Sequence, residues 1–85
     1  SPGTRMVSNQ FWVTKGQTIH VAATAIPDNS TFWIGIMDGL NNARYVEGTG
    51  NLSHGFSITS SGHYRVFVQN RSSVQITAGG TYYFN

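Results

Sequence analysis

Eighty-five residues, 39% hydrophobic and 9% charged, with five Lys+Arg against three Asp+Glu and no cysteine, describe one small domain. A chain of this size closes a single core that is only just sufficient for independent stability. Without a thiol there is neither a disulfide framework nor a thiolate zinc site to supplement that core, and no run approaches the ~18 apolar residues of a membrane span.

Ser, Thr, Asn, Gln and Gly replace charge as the solubilising residues, a palette associated with secreted and surface-displayed proteins. The basic residues Arg5, Lys15, Arg44, Arg65 and Arg71 are dispersed along the sequence. Nucleic-acid binding asks for a basic stripe, so no nucleic-acid partner is expected. No signal peptide is read, and a mature exported product would carry none. Ser1-Pro2-Gly3 reads as a processing remnant, leaving residues 1–85 as one β-sandwich domain with 1–3 outside the fold argument.

In chain order, hydrophobic periodicity is close to two almost everywhere, and no segment sustains a helical pattern. Val7, Phe11 and Val13 are expected on one face of a first strand, ended by a tight turn at Lys15-Gly16-Gln17. Thr18 to Ala25 follows, with Ile19, Val21, Ala23 and Ala25 on one side and His20, Ala22 and Thr24 on the other. Pro27-Asp28-Asn29-Ser30 is a turn. Phe32, Ile34 and Ile36 then make an inward row, with Trp33 and Met37 outward around Gly35.

Asp38-Gly39 opens a loop through Asn42, Arg44 to Glu47 forms a short edge strand, and Gly48-Thr49-Gly50-Asn51 turns the chain. Leu52, His54, Phe56 and Ile58 share a parity in the next strand, with a bulge expected at Gly55. The cleanest strand runs from His63 to Gln69, with Tyr64, Val66 and Val68 on one side and His63, Arg65, Phe67 and Gln69 on the other. Val74, Ile76 and Ala78 mark a seventh strand, and Gly79-Gly80 reads as a two-residue hairpin turn into Thr81 to Phe84. Eight short strands at this spacing predict an all-β antiparallel sandwich of jelly-roll type.

The stretches from Phe11 to Ile19, through Gly16-Gln17-Thr18, and from Ser61 to Asn70, through Ser61-Gly62-His63-Tyr64-Arg65-Val66, carry a family likeness. They resemble the turn and packed-tyrosine elements of small bacterial exported jelly-roll domains, the pre-peptidase C-terminal and GOLD-like types, over about half of the chain. That resemblance implies an exported, Gram-positive bacterial, non-enzymatic accessory or adhesion module. The acidic loops with which some collagen-binding relatives hold calcium are missing, so neither metal nor collagen binding carries over.

The catalytic inventory is thin: Asp28, Asp38, Glu47, His20, His54, His63 and many serines. Asp28 and Asp38 occupy positions that turns favour for their own geometry. Pairing Glu47 with Asp38 as glycosidase carboxylates is nearly a forced choice among three acids. There is no Gly-x-Ser-x-Gly element, and the three histidines lack ligand spacing, so no enzyme, cofactor or metal site is expected. The sequons at Asn29, Asn51 and Asn70 read as incidental in a Ser/Thr-rich chain of seven asparagines, where chance supplies one or two.

The aromatic doublets are the most informative feature. In Phe11-Trp12, Phe32-Trp33 and Tyr82-Tyr83-Phe84, neighbouring rings must point to opposite faces. Phe11, Phe32, Tyr82 and Phe84 fall on the core parity. Trp12, Trp33, Met37, Phe67 and Tyr83, with Arg65 beside them, fall on the other and form the expected binding set. Contiguous exposed apolar surface marks an interaction site. Two functions follow as expectations: a secreted or cell-surface module that stacks its aromatics on a cell-wall glycan or other carbohydrate polymer, or a self-assembling or partner-binding exported protein, a small toxin included. In the second, the same face is a homo-oligomer or membrane-surface contact.

Overall fold

The computed structural model describes residues 5–40, 42–72 and 77–85. Eight strands follow in order: β1 (Arg5–Val7), β2 (Phe11–Val13), β3 (Thr18–Ile26), β4 (Thr31–Asp38), β5 (Ala43–Thr49), β6 (Asn51–Ser57), β7 (Gly62–Asn70) and β8 (Thr77–Phe84). Every pairing is antiparallel. One sheet has the order β1-β7-β4-β5 with β2 also on β7, and the other the order β6-β3-β8. The pairs β4 with β5, β3 with β6 and β2 with β7 are nested, as when a long hairpin rolls up on itself, which is a jelly-roll sandwich.

Alternation explains the core. Ile19, Val21, Ala23 and Ala25 of β3 face Phe32, Ile34 and Ile36 of β4, with Val13, Phe56, Ile58 and Val66 completing the buried cluster. The turn at Lys15-Gly16 is closed by the Gln17 amide donating to the Thr14 carbonyl at 3.0 Å, while the Thr14 amide donates to Gln17 Oε1 at 2.7 Å.

Five sequence expectations change. The expected first strand is two strands, because Ser8-Asn9-Gln10 lie opposite only Arg65 and Val66: Val7 pairs with Phe67, and Phe11 with Tyr64. The extra residue is a bulge that inverts the alternation. Val7 therefore faces outward with Phe67, and Met6 takes the inward place opposite Val68. Ser8 fixes the bulge with its side chain, Oγ accepting from the Val66 amide at 2.8 Å.

Gly79-Gly80 is not a hairpin turn. β8 runs straight through it in register with β3, Gly80 opposite Ala23. A side chain on Gly80 would collide with the Ala22 carbonyl and lie 2.9 Å from Ala23 Cα, so the glycine serves close strand approach. Val74 and Ile76 lie outside the described residues, as do Ser1-Pro2-Gly3.

Gly55 hosts no bulge, for the β3–β6 register continues through His20 opposite Gly55 without a gap. The edge strand expected at Arg44–Glu47 extends over Ala43–Thr49, which places Tyr45 beside Gly35.

Tyr82 and Phe84 do point inward, opposite Val21 and Ile19, but they are not core. They lie at the outer edge of the smaller sheet, 42% and 40% exposed, stacked on Phe11 at centroid distances of 5.2 and 5.4 Å. β8 has no strand on its far side among the described residues. The seam between β1 and β8 is an apolar groove of about 210 Å³ lined by Met6, Val7, Val21, Val66, Val68 and Tyr82.

Candidate functional site: the outer face of the five-stranded sheet

The register places Trp12 and His63 side by side, then Arg65 with Met37, then Val7, Phe67, Gly35 and Tyr45 in one row, and finally Arg5, Gln69, Trp33 and Glu47 in the next. Five of the six expected site residues, Trp12, Trp33, Met37, Arg65 and Phe67, thus share one face. Tyr83 does not join them. It lies on the outer face of the other sheet, 61% exposed, stacked on His20 at 4.6 Å.

Phe67 and Met37 face outward yet are not available for contact, with exposures of 1% and 8%. Gly35 is the reason for the first. Its missing side chain leaves a notch that the Phe67 ring fills, since a Cβ there would lie 2.7 Å from Phe67 Cζ and would also strike the Arg44 carbonyl. The Arg5 guanidinium covers the ring from 4.8 Å while donating to Gln69 Oε1. Phe67 is therefore an inlay that stiffens the platform, and its place in the binding set passes to its neighbour Tyr45.

Tyr45 is 49% exposed and stacks on Trp33 with centroids 4.1 Å apart. The Arg71 guanidinium lies over the same indole at 4.3 Å. Tyr45 comes from β5 and Arg71 from just past the end of β7, the two neighbours of β4, so Trp33 is closed in from both sides. Its Nε1–H donates to Glu47 Oε1 at 2.9 Å, which fixes the ring plane. Trp12, 55% exposed and edge-on to His63 at 5.2 Å, is the open ring at the opposite corner. Sequence reasoning missed Tyr45 because Arg44–Glu47 offers no aromatic doublet. Its signal was parity: Tyr45 and Glu47 alternate with the half-buried Val46.

Charge is also redistributed by folding. Arg5, Arg65 and Arg71, dispersed in sequence, stand on this one face. Lys15 lies in the 14–17 turn and Arg44 donates to the Ser57 carbonyl. The outer face of β6-β3-β8 presents no Asp, Glu, Lys or Arg among the described residues.

The carboxylates do not form a catalytic pair. Asp38 and the Trp33 that holds Glu47 are five residues apart on β4, roughly 17 Å of strand, beyond the ~5–10 Å that glycosidase carboxylates span. Asp38 instead organises its own loop. Its carboxylate accepts from the Asn42 and Leu40 amides, both at 2.9 Å, and from Asn42 Nδ2 at 3.3 Å. The Asn42 amide bond is the largest influence holding the Asp38 carboxyl below its ordinary value, partly opposed by desolvation, with the Leu40 amide adding to it. A depressed folded-state pKa contributes stability above the unfolded value that is lost as pH falls through the folded one. In an NMR titration the Leu40 and Asn42 amide shifts are therefore expected to hold through the ordinary aspartate range and move only below it. Movement centred at or above that range would contradict the loop geometry.

The histidines are dispersed: His20 on Tyr83, His54 edge-on to Phe56, His63 edge-on to Trp12. No group of three or more His, Asp or Glu side chains suited to a metal ion occurs among the described residues. Of the sequon asparagines, Asn70 is buried, its Oδ1 accepting from Ser72. Compared with protein-family models, with curated proteins and with solved structures, the chain matches none.

Proposed function

We propose that this is a non-catalytic exported module, acting in secreted form or at a cell surface, which holds a carbohydrate polymer against the outer face of its five-stranded sheet. The observation that carries this reading is the pair of exposed aromatics, Trp12 and Tyr45, at opposite corners of a rigid, inlaid face. Four residues along β7 and three strand spacings separate them, roughly 20 Å. One monosaccharide cannot touch both, whereas an extended chain can. Apolar rings with polar edges suit the pyranose face, and His63 beside Trp12, with Gln69 and Glu47 in the row beyond Tyr45, supply hydrogen-bonding groups. The reading agrees with the accessory role implied by the likeness to pre-peptidase C-terminal domains.

In pull-downs with insoluble polysaccharides, Trp12→Ala and Tyr45→Ala are each expected to lower retention, and together to abolish it, with thermal stability unchanged. Trp33→Ala is expected to weaken binding as well, by releasing Tyr45. Undiminished retention in the Trp12/Tyr45 double variant would remove the idea.

A second reading, self-assembly, is favoured by a different surface: the apolar β1–β8 seam with Met6, Tyr82 and Phe84 left 40–48% exposed. Sedimentation separates the two. A strict monomer at high concentration contradicts assembly and leaves polymer binding untouched.

A further inference from the structure

We propose that the polymer is an acidic polysaccharide, one carrying carboxylate or sulfate groups at intervals along the chain, recognised through Arg5, Arg65 and Arg71. This inference rests on the carbohydrate reading above and adds the charge of the ligand to it. Three of the five basic side chains stand on this face, all exposed. Among the described residues none is paired with a carboxylate: Arg5 donates to Gln69, Arg65 to the Ser8 carbonyl at 3.3 Å, and Arg71 lies over Trp33. Glu47, the one acid of this face among the described residues, accepts from the Trp33 indole. The sandwich is thus polarised, with a cationic aromatic face backed by an uncharged one.

The placement fits a polymer with widely spaced charge. Arg65 and Gln69, which holds Arg5, are four residues apart on β7, roughly 13 Å. A nucleic acid presents a phosphate about every 3.4 Å per strand in a duplex and asks for a denser basic stripe, and single-strand binding asks for rings close enough together for successive bases to stack on them. The open rings of this face, Trp12 and Tyr45, stand roughly 20 Å apart, and Trp33 is covered by Tyr45 and Arg71. A polysaccharide bearing an anionic group on every second sugar needs only occasional guanidinium groups, whose planar forks match carboxylate and sulfate, between rings that pack on its neutral faces.

The test compares retention on hyaluronate and on κ-carrageenan, which carry one carboxylate and one sulfate respectively on every second sugar, with retention on cellulose and on uncharged dextran, over a salt series. Preference for the acidic polymers is expected, with affinity falling as rising salt screens the three contacts. Arg65→Gln is expected to weaken that binding about threefold or more, whereas Lys15→Gln, which removes the same charge from a remote turn, leaves it unchanged. The Arg5/Arg65/Arg71 triple Gln variant loses the preference, and the triple Lys variant, which protects the fold, retains most of the salt dependence. Trp12-dependent binding to cellulose with no acidic preference overturns the proposal while the carbohydrate reading stands. Binding to oligo(dT) or to phosphatidylglycerol vesicles in preference to every glycan overturns both, as does binding to none of these probes. Equal effects of Arg65→Gln and Lys15→Gln reduce the interaction to net charge and overturn the site.

Discussion

Phe32→Ala is expected to lower stability by about 3–5 kcal/mol, while Phe84→Ala, at a residue of the same type and the same inward parity, is expected to cost only about 1–2 kcal/mol. Phe32 is 0% exposed near the start of β4, enclosed by both sheets, so truncation leaves a cavity that its neighbours cannot collapse into. Phe84 is 40% exposed at the open edge and has only Phe11 stacked on it. A domain of this length has roughly 4–13 kcal/mol in total. The first substitution therefore takes a large share of it, or all, and the melting temperature falls by at least about 12 °C. Urea unfolding measures both. Equal losses would mean that the β1–β8 seam is covered in solution, and would move support toward self-assembly.

Gly35→Ala has the second largest expected effect, about 2–3 kcal/mol, toward the upper end of overpacking costs. The new methyl meets the Arg44 carbonyl, which belongs to the β5 backbone, and the tip of the Phe67 ring. The ring has somewhere to go only by lifting Arg5 off it. In the double variant with Phe67→Leu the side-chain half of the conflict is relieved, so stability is expected to recover in part, because the carbonyl contact persists. A neutral Gly35→Ala, or a purely additive pair, would show that Phe67 does not fill the glycine's place. Glycan retention by Gly35→Ala at a temperature where it is folded then reports whether the inlay positions Tyr45.

The class of fold and most of the core were legible in the sequence for a simple reason. Strand alternation is local, so Ile19-Val21-Ala23-Ala25 and Phe32-Ile34-Ile36 announce their inner faces without knowledge of a partner. What was illegible depends on partners. A one-residue bulge at Ser8–Gln10 exists only against β7, and Gly79-Gly80 looks like a turn until Ala22 and Ala23 are placed beside it. Outward parity was read correctly for Trp12, Trp33, Met37 and Phe67, but parity does not report exposure. Phe67 is hidden by the absence of a side chain on a different strand, which no property of its own segment encodes. The arginines were dispersed because sequence distance is not sheet distance: Arg5 and Gln69 are 64 positions apart and hydrogen-bonded.

The odd residue between β1 and β2 gives this end of the chain something like a reading frame. Three residues, Ser8 to Gln10, cross a gap that Arg65 and Val66 cross with two, and the one left over lets Val7 meet Phe67, so that Arg5 stands among the platform residues and Met6 in the seam. Losing one residue there leaves two opposite two, a regular ladder in which Val7 still meets Phe67 and Arg5 still meets Gln69. Losing two leaves one residue for the same gap, so the register slips and exchanges Arg5 with Met6, withdrawing a cation from the binding face and pushing a thioether onto it. A single deletion of Asn9 is therefore expected to keep acidic-polymer retention, and a deletion of two residues to be read first as its loss, ahead of any loss of fold.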